Sequence, residues 1–169
     1  MKCHYKDLVL QTEQNNLAQL DSKLTQFLGQ HDFFYIEDLC ETFRGIVKES
    51  GIKDGMLNAQ VMHTTAVLSV NELDEPMLLG DINRRLSDLV PHLNDYLHNS
   101  KLRTKNLCAD DYKCDRNADA HLKSFLIGGH TASLLVRNGE LVLGKWQRVT
   151  MIDFDGPRQR KVTVQVIGA

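Results

Sequence analysis

His63 in "HTT", His98 in "YLH" and His121 in "ADAHL" lie in polar, weakly periodic stretches, and they are three of seven histidines in the chain. Neutral imidazole is the commonest ligand of zinc and related divalent ions. Three histidines with an open fourth position leave room for water or substrate on the metal. No pair among them has the i, i+4 spacing of a helical metalloprotease motif. Partly buried histidines with ordinary structural roles are the alternative reading. A second candidate lies in "GKWQRVTMIDFDGPRQR", residues 144–160. Arg158 and Arg160 follow a Gly-Pro turn with strand alternation, which points both to one side, where two guanidinium forks can clamp a phosphate or pyrophosphate. Surface pairing with Asp153 and Asp155 is the alternative. Asn71 and Glu72 end an apolar strand, where side chains commonly meet a ligand. Asp74 and Glu75 just beyond them read as caps of a Pro-initiated helix. Asp81 falls inside that helix, and its burial would demand a partner. Trp146 reads as core or interface, and Gln147 as a group that satisfies a buried polar atom or reads a ligand edge.

The rest of the chain must position these groups. With 20 basic and 22 acidic side chains, net −2, it offers no large positive field for a nucleic-acid backbone or an anionic membrane, so any anion it binds is small and locally held. No apolar run approaches the roughly 18 residues of a membrane span, and "MKCHYKDLVLQT" lacks the apolar stretch of a signal peptide, so the expected setting is cytoplasmic. Cys3, Cys40, Cys108 and Cys114 are expected as free thiols. The spacing of the last two fits neither a zinc knuckle nor a redox pair.

Periodicity predicts a strand in "KDLVLQ", a helix over residues 15–29, a second over 35–51 closed by Gly51, and one or two strands in "GMLNAQVMHTTAVLSVNE". A helix follows from Pro76 and is ended by Pro91. After an irregular stretch comes a short helix in "AHLKSFLIGG", then a hairpin turning at Asn138-Gly139 and a terminal strand in "KVTVQVIG". Helices early, strands late and no βαβ rhythm predict an α+β fold: one domain over 1–169, with a mixed or antiparallel sheet core and packed helices.

Taken in order, "HTTAVLSVNE", "YLH", "NADAHLK", "GKWQ" and "DGPRQR" resemble the YjbQ family, often labelled secondary thiamine-phosphate synthases; the resemblance is strongest over about 49–169. It implies a compact α+β homotrimer with a site near subunit interfaces. There His63, His98 and His121 would hold a divalent metal, zinc foremost, or magnesium with a phosphate substrate. The implied reaction joins hydroxymethylpyrimidine pyrophosphate to thiazole phosphate and releases pyrophosphate. In it Glu72 serves as base or water-orienting group beside Asn71, while Thr64, Thr65, Trp146, Gln147, Arg158 and Arg160 contact substrate. A metal-assisted phosphate-ester hydrolase fits the same residues. So does a non-catalytic trimeric ligand-binding scaffold with a structural metal. The chain departs from the family pattern at Glu75, Asn99, Lys145 and Asp153, and its segment around 99–116 looks longer than usual.

Overall fold

The computed structural model describes residues 1–100, 102–103 and 116–169. Cys108 and Cys114 lie outside them. The last strand, β8 (Gln159–Gly168), alternates as its sequence requires: Val162, Val164 and Val166 are buried while Lys161, Thr163 and Gln165 take the other face. It is paired on both sides, with β1 (Lys2–Gln11) and with β3 (Gly55–Val61). Beyond β3 lie β5 (Thr131–Arg137) and β6 (Glu140–Leu141), giving the order β1-β8-β3-β5-β6. The hairpin between β5 and β6 turns at Asn138 (φ 54°) and Gly139 (φ 80°), the paired positive angles that a type I′ turn demands. A second sheet has the order β2 (Tyr35–Asp38), β7 (Arg148–Asp153), β4 (Ala66–Asn71). Every ladder in both sheets is antiparallel.

The apolar faces of the two sheets meet, with Leu57, Val164 and Val166 of the larger packed in one cluster with Leu68, Val149 and Met151 of the smaller. Helix α2 (Cys40–Ser50) adds Phe43, Ile46 and Val47 to that core. The opposite face of the small sheet is covered too. Ile36, Val67 and Ile152 pack with Leu17 of α1 (Leu17–Leu20), Leu79 of α3 (Pro76–Leu89) and Ala120 of α4 (Ala118–Ile127). No helix among the described residues is long and apolar enough to cross a membrane.

Two helical expectations change. Residues 15–29 hold only the single turn of α1 and a 3-10 helix over Ser22–Phe27, because Asp21 takes an extended conformation and its carboxylate accepts from Lys23 N at 2.9 Å. The stretch 35–51 divides into β2 and α2, with Gly51 ending the helix in the left-handed region (φ 66°) as expected. Helix α3 starts as its sequence indicates. Pro76 opens it, and Glu75 caps it by accepting from Met77 N at 2.9 Å and Leu78 N at 2.7 Å. Asp81 is exposed on that helix and needs no partner.

Candidate functional site: a cleft at the turn from β7 to β8

Asp153 ends β7 with 0% exposure, and Arg160, early in β8, is 3% exposed. Charges this deep persist only when paired. Arg160 Nε donates to Asp153 Oδ2 at 2.8 Å and its Nη2 to Oδ1 at 2.5 Å, a two-pronged contact. Thr12 donates to Asp153 Oδ2 at 2.7 Å, and Arg160 Nη2 donates to Thr65 Oγ1 at 3.2 Å. The turn above this pair comes so close to the segment that follows β1 that a Cβ at Gly156 would lie 2.2 Å from the Glu13 carbonyl oxygen, which only glycine avoids. The ion pair, Thr65 and Thr12 thus brace the segment Phe154–Arg158.

What that segment presents outward is Asp155 and Arg158. The Arg158 guanidinium lies 3.1 Å from Asp155 Oδ2, and Asn117 Nδ2 donates to the same oxygen at 2.9 Å. Burial pushes the Asp155 carboxyl above the usual carboxylate range, partly offset by the Asn117 amide and the guanidinium groups of Arg158 and Arg160. Asp155 and Arg158 form one wall of a cleft of about 300 Å³ that is shared with Phe33, His92, Arg116 and Asp119. Asp119, 1% exposed, is held by Lys123 Nζ at 3.3 Å and lies 3.2 Å from His92 Nδ1. His92 in turn stacks on His31, with ring centroids 5.1 Å apart.

Asn117, just before α4, also links this cleft to two of the predicted histidines. Its Oδ1 is 3.3 Å from His98 Nε2, and the His98 ring meets the His121 ring edge-on with centroids 5.0 Å apart. Burial first, then the neighbouring His98 and Arg103, holds the His121 pKa below the usual imidazole value; Asp155 and Asp119 oppose this. His63 is held low by burial and by Arg160.

The three predicted ligands do not form one set within the chain. His98 and His121 adjoin, but an Arg103 Nη1 lies 3.0 Å from His98 Nε2, and His63 Nε2 accepts from the Lys161 backbone at 3.0 Å. Among the described residues no group of three or more His, Cys, Asp or Glu side chains is arranged to hold a metal ion. Among the described residues, the three predicted histidines therefore do not converge on one ion within a single chain.

The other predicted residues also disperse. The arginines do not share a face: Arg158 is exposed in the turn, whereas Arg160 is a buried brace, so its pairing with Asp153 is internal rather than superficial. Thr65 is buried under Arg160, while Thr64 is exposed. Trp146 is 55% exposed, with the Lys145 ammonium 4.6 Å above its ring, and Gln147 closes its own turn by accepting from Gly144 N at 2.7 Å. Asn71 accepts from Glu72 N at 2.8 Å, and both line a second pocket that shares no residue with the cleft.

A family model described as "UPF0047 protein YjbQ-like" matches residues 25–169. The chain belongs to the UPF0047, YjbQ-like family. A UPF0047 protein of Methanothermobacter thermautotrophicus is 36% identical over 131 residues, covering 78% of this chain and 81% of its own. One of Archaeoglobus fulgidus is 38% identical over 115 residues, covering 68% and 79%. Among solved structures, a protein of unknown function from Sulfolobus solfataricus superposes with a TM-score of 0.74 at 28% identity over 99% of both chains. A YjbQ/UPF0047 protein from Clostridium acetobutylicum does so with a TM-score of 0.72 at 30% identity, covering 96% of this chain and 99% of that one.

The UPF0047 match begins earlier than the motifs alone indicate and takes in β2, α2 and every cleft residue named above. Sequence reasoning had passed over Asp155, Asn117, Asp119, His92 and Arg116 as site residues. Asn117 and Asp119 sit inside the "NADAHLK" motif, in front of and within the first turn of α4, where side chains reach across to a neighbouring loop. His92 carried no signal beyond following Pro91.

Proposed function

We propose that this protein is an enzyme acting on a small phosphorylated metabolite bound in the cleft between the turn from β7 to β8 and the start of α4. The observation that carries this reading is the Asp155 carboxyl, raised by burial, clasped by Asn117 and Arg158, and set on the wall of a cleft of about 300 Å³. A carboxyl whose proton affinity is raised by burial is suited to give or take a proton, while Arg158 and Arg116 offset the charge of a phosphate or leaving pyrophosphate. The neutral His121, beside His98, is a second group able to accept a proton. The resemblance implies thiamine-phosphate-synthase-like transfer as the specific reaction, and metal-assisted phosphate-ester hydrolysis is the variant the same cleft admits. The test is to supply hydroxymethylpyrimidine pyrophosphate with thiazole phosphate, and separately a panel of phosphate monoesters, and to follow pyrophosphate or phosphate release. Turnover that falls by roughly 10²-fold or more in Asp155→Asn supports the reading. Lack of any turnover, together with no thermal shift on adding phosphate or pyrophosphate, overturns it.

A homotrimer belongs to the same proposal, and it is shared with the scaffold reading. The outward face of helix α4 is apolar, formed by Leu122, Phe125 and Leu126, with Phe125 82% exposed. Such a helix belongs inside an assembly. Light scattering on the purified protein should give three times the chain mass, and Phe125→Glu should give one. A monomeric parent refutes the assembly.

A further inference from the structure

We propose that the pocket enclosed by the small sheet, α3 and the end of α4 is a separate binding site for a compact organic cation: one aromatic ring carrying an ammonium or amidinium group. The pocket has a volume of about 200 Å³. Its walls are mostly apolar, with Phe34, Ile82, Leu86, Ile127 and Ile152 among them. An apolar protein cavity of roughly 150 Å³ takes up benzene, so this space suits one ring with a short substituent.

The polarity at its edge selects the charge. Glu72 lines the pocket, and among the described residues no hydrogen bond or ion pair engages its carboxylate. Arg148 stands opposite the neighbouring Asn71 in the β4–β7 register. That guanidinium is instead taken by Asp74 at 2.5 Å and by the carbonyls of Lys145 and Gln147 at 3.2 and 2.9 Å. Ile127 is the last residue of α4, so the negative end of that helix also borders the pocket, and no basic side chain occupies its last turn. Inside, the hydroxyl of Thr150, a residue 1% exposed, makes among the described residues only a long 3.4 Å contact with the Ser69 carbonyl. An apolar slot with an unneutralised carboxylate, a helix C-terminus and an under-used hydroxyl prefers a cation with a flat apolar body over a neutral or anionic molecule. The site goes beyond the phosphate cleft and stands whether or not that cleft is catalytic.

The probe is benzylammonium, with benzyl alcohol as its neutral counterpart, titrated into the full-length protein while the isoleucine methyl resonances are followed by NMR. The expected result is saturable shifts at Ile82, Ile127 and Ile152, with benzylammonium binding roughly tenfold tighter than benzyl alcohol. In Glu72→Gln that preference should vanish, with benzyl alcohol binding unchanged. Ile127→Trp, at the rim, should abolish both while leaving any phosphate-induced thermal shift intact. Absence of saturable shifts in the parent, equal affinity for the two probes, or a preference that survives Glu72→Gln would each overturn the assignment.

Discussion

Replacing Arg160 by Met is the sharpest test of how this fold holds its cleft. The side chain is 3% exposed and satisfies both oxygens of a carboxylate that is itself 0% exposed. Methionine keeps much of the aliphatic volume, so the loss is almost wholly electrostatic. Asp153 then retains Thr12 Oγ1 at 2.7 Å and the Asp155 backbone N–H at 3.0 Å, two neutral donors where a guanidinium fork stood. Removing one partner of a buried ion pair costs about 3–5 kcal/mol, whereas removing both with apolar residues of similar volume is often neutral. The Arg160→Met, Asp153→Leu double variant should accordingly recover most of what either single change loses, less about 1 kcal/mol for the Thr65 hydroxyl it strands, since Thr12 keeps the Arg158 carbonyl at 3.0 Å. Urea unfolding of the parent, both single variants and the double variant closes the cycle. Single losses below about 1 kcal/mol, or losses that simply add in the double variant, would refute the claim that this pair braces the turn.

Two further outcomes follow from the same region and its neighbours. Gly129 has φ +82°, and a Cβ there would stand 2.4 Å from the Leu68 carbonyl oxygen, so Gly129→Ala should cost about 1–3 kcal/mol in a denaturant titration; an unchanged midpoint refutes the close approach. The histidines set an acid limit. His121 and His63 have folded pKa values below the ordinary 6.5, so each contributes stability that is fully present above that value and lost as the pH falls through the folded pKa. Asp155, whose folded pKa is raised, works with the opposite sign: its contribution declines as the pH climbs from the ordinary carboxylate value through the raised one. Unfolding midpoints measured from pH 7.5 to 5 should therefore drop in the parent and drop less in His121→Gln. Equal slopes would show that His121 is not held neutral by the fold.

One-sided elements were legible in the sequence, whereas of the two-sided strands β4 was read and β2 was not. Strand β8 and the hairpin of β5 and β6 carry alternation and a turn dipeptide, and α3 carries an apolar stripe, a proline and a cap; each was placed correctly. Strand β2 is different, because Tyr35 and Ile36 are buried on opposite faces of a sheet covered on both sides. Consecutive apolar residues of that kind run on into the stripe of α2 at helical spacing and imitate one long helix. The break between them is a side-chain event. Asp38 Oδ1 accepts from Cys40 N at 2.8 Å, just as Asp21 accepts from Lys23 N where the expected helix over 15–29 divides. An aspartate that caps the turn two residues ahead is the local signal in both places.

The site shows the same dependence on which residues lie within a strand. Alternation assigns Arg158 and Arg160 to one face only if the strand runs through both, but β8 begins at Gln159 and leaves Arg158 in the turn. Arg160 does lie in the strand, in phase with Val162, Val164 and Val166, and that phase points it into the core. Asp153 is likewise in phase with Val149 and Met151. Two opposite charges, each on the inward phase of its own strand and seven residues apart across a turn, can be buried only together. Asp155 and Arg158 escape that constraint because they belong to neither strand. The turn that the buried pair fixes is what holds them at the cleft, where a carboxyl and a guanidinium remain within reach of a ligand. The chemistry open to "DFDGPRQR" is thus divided by strand phase: the outer Asp–Arg couple braces the fold and the inner one faces the cleft.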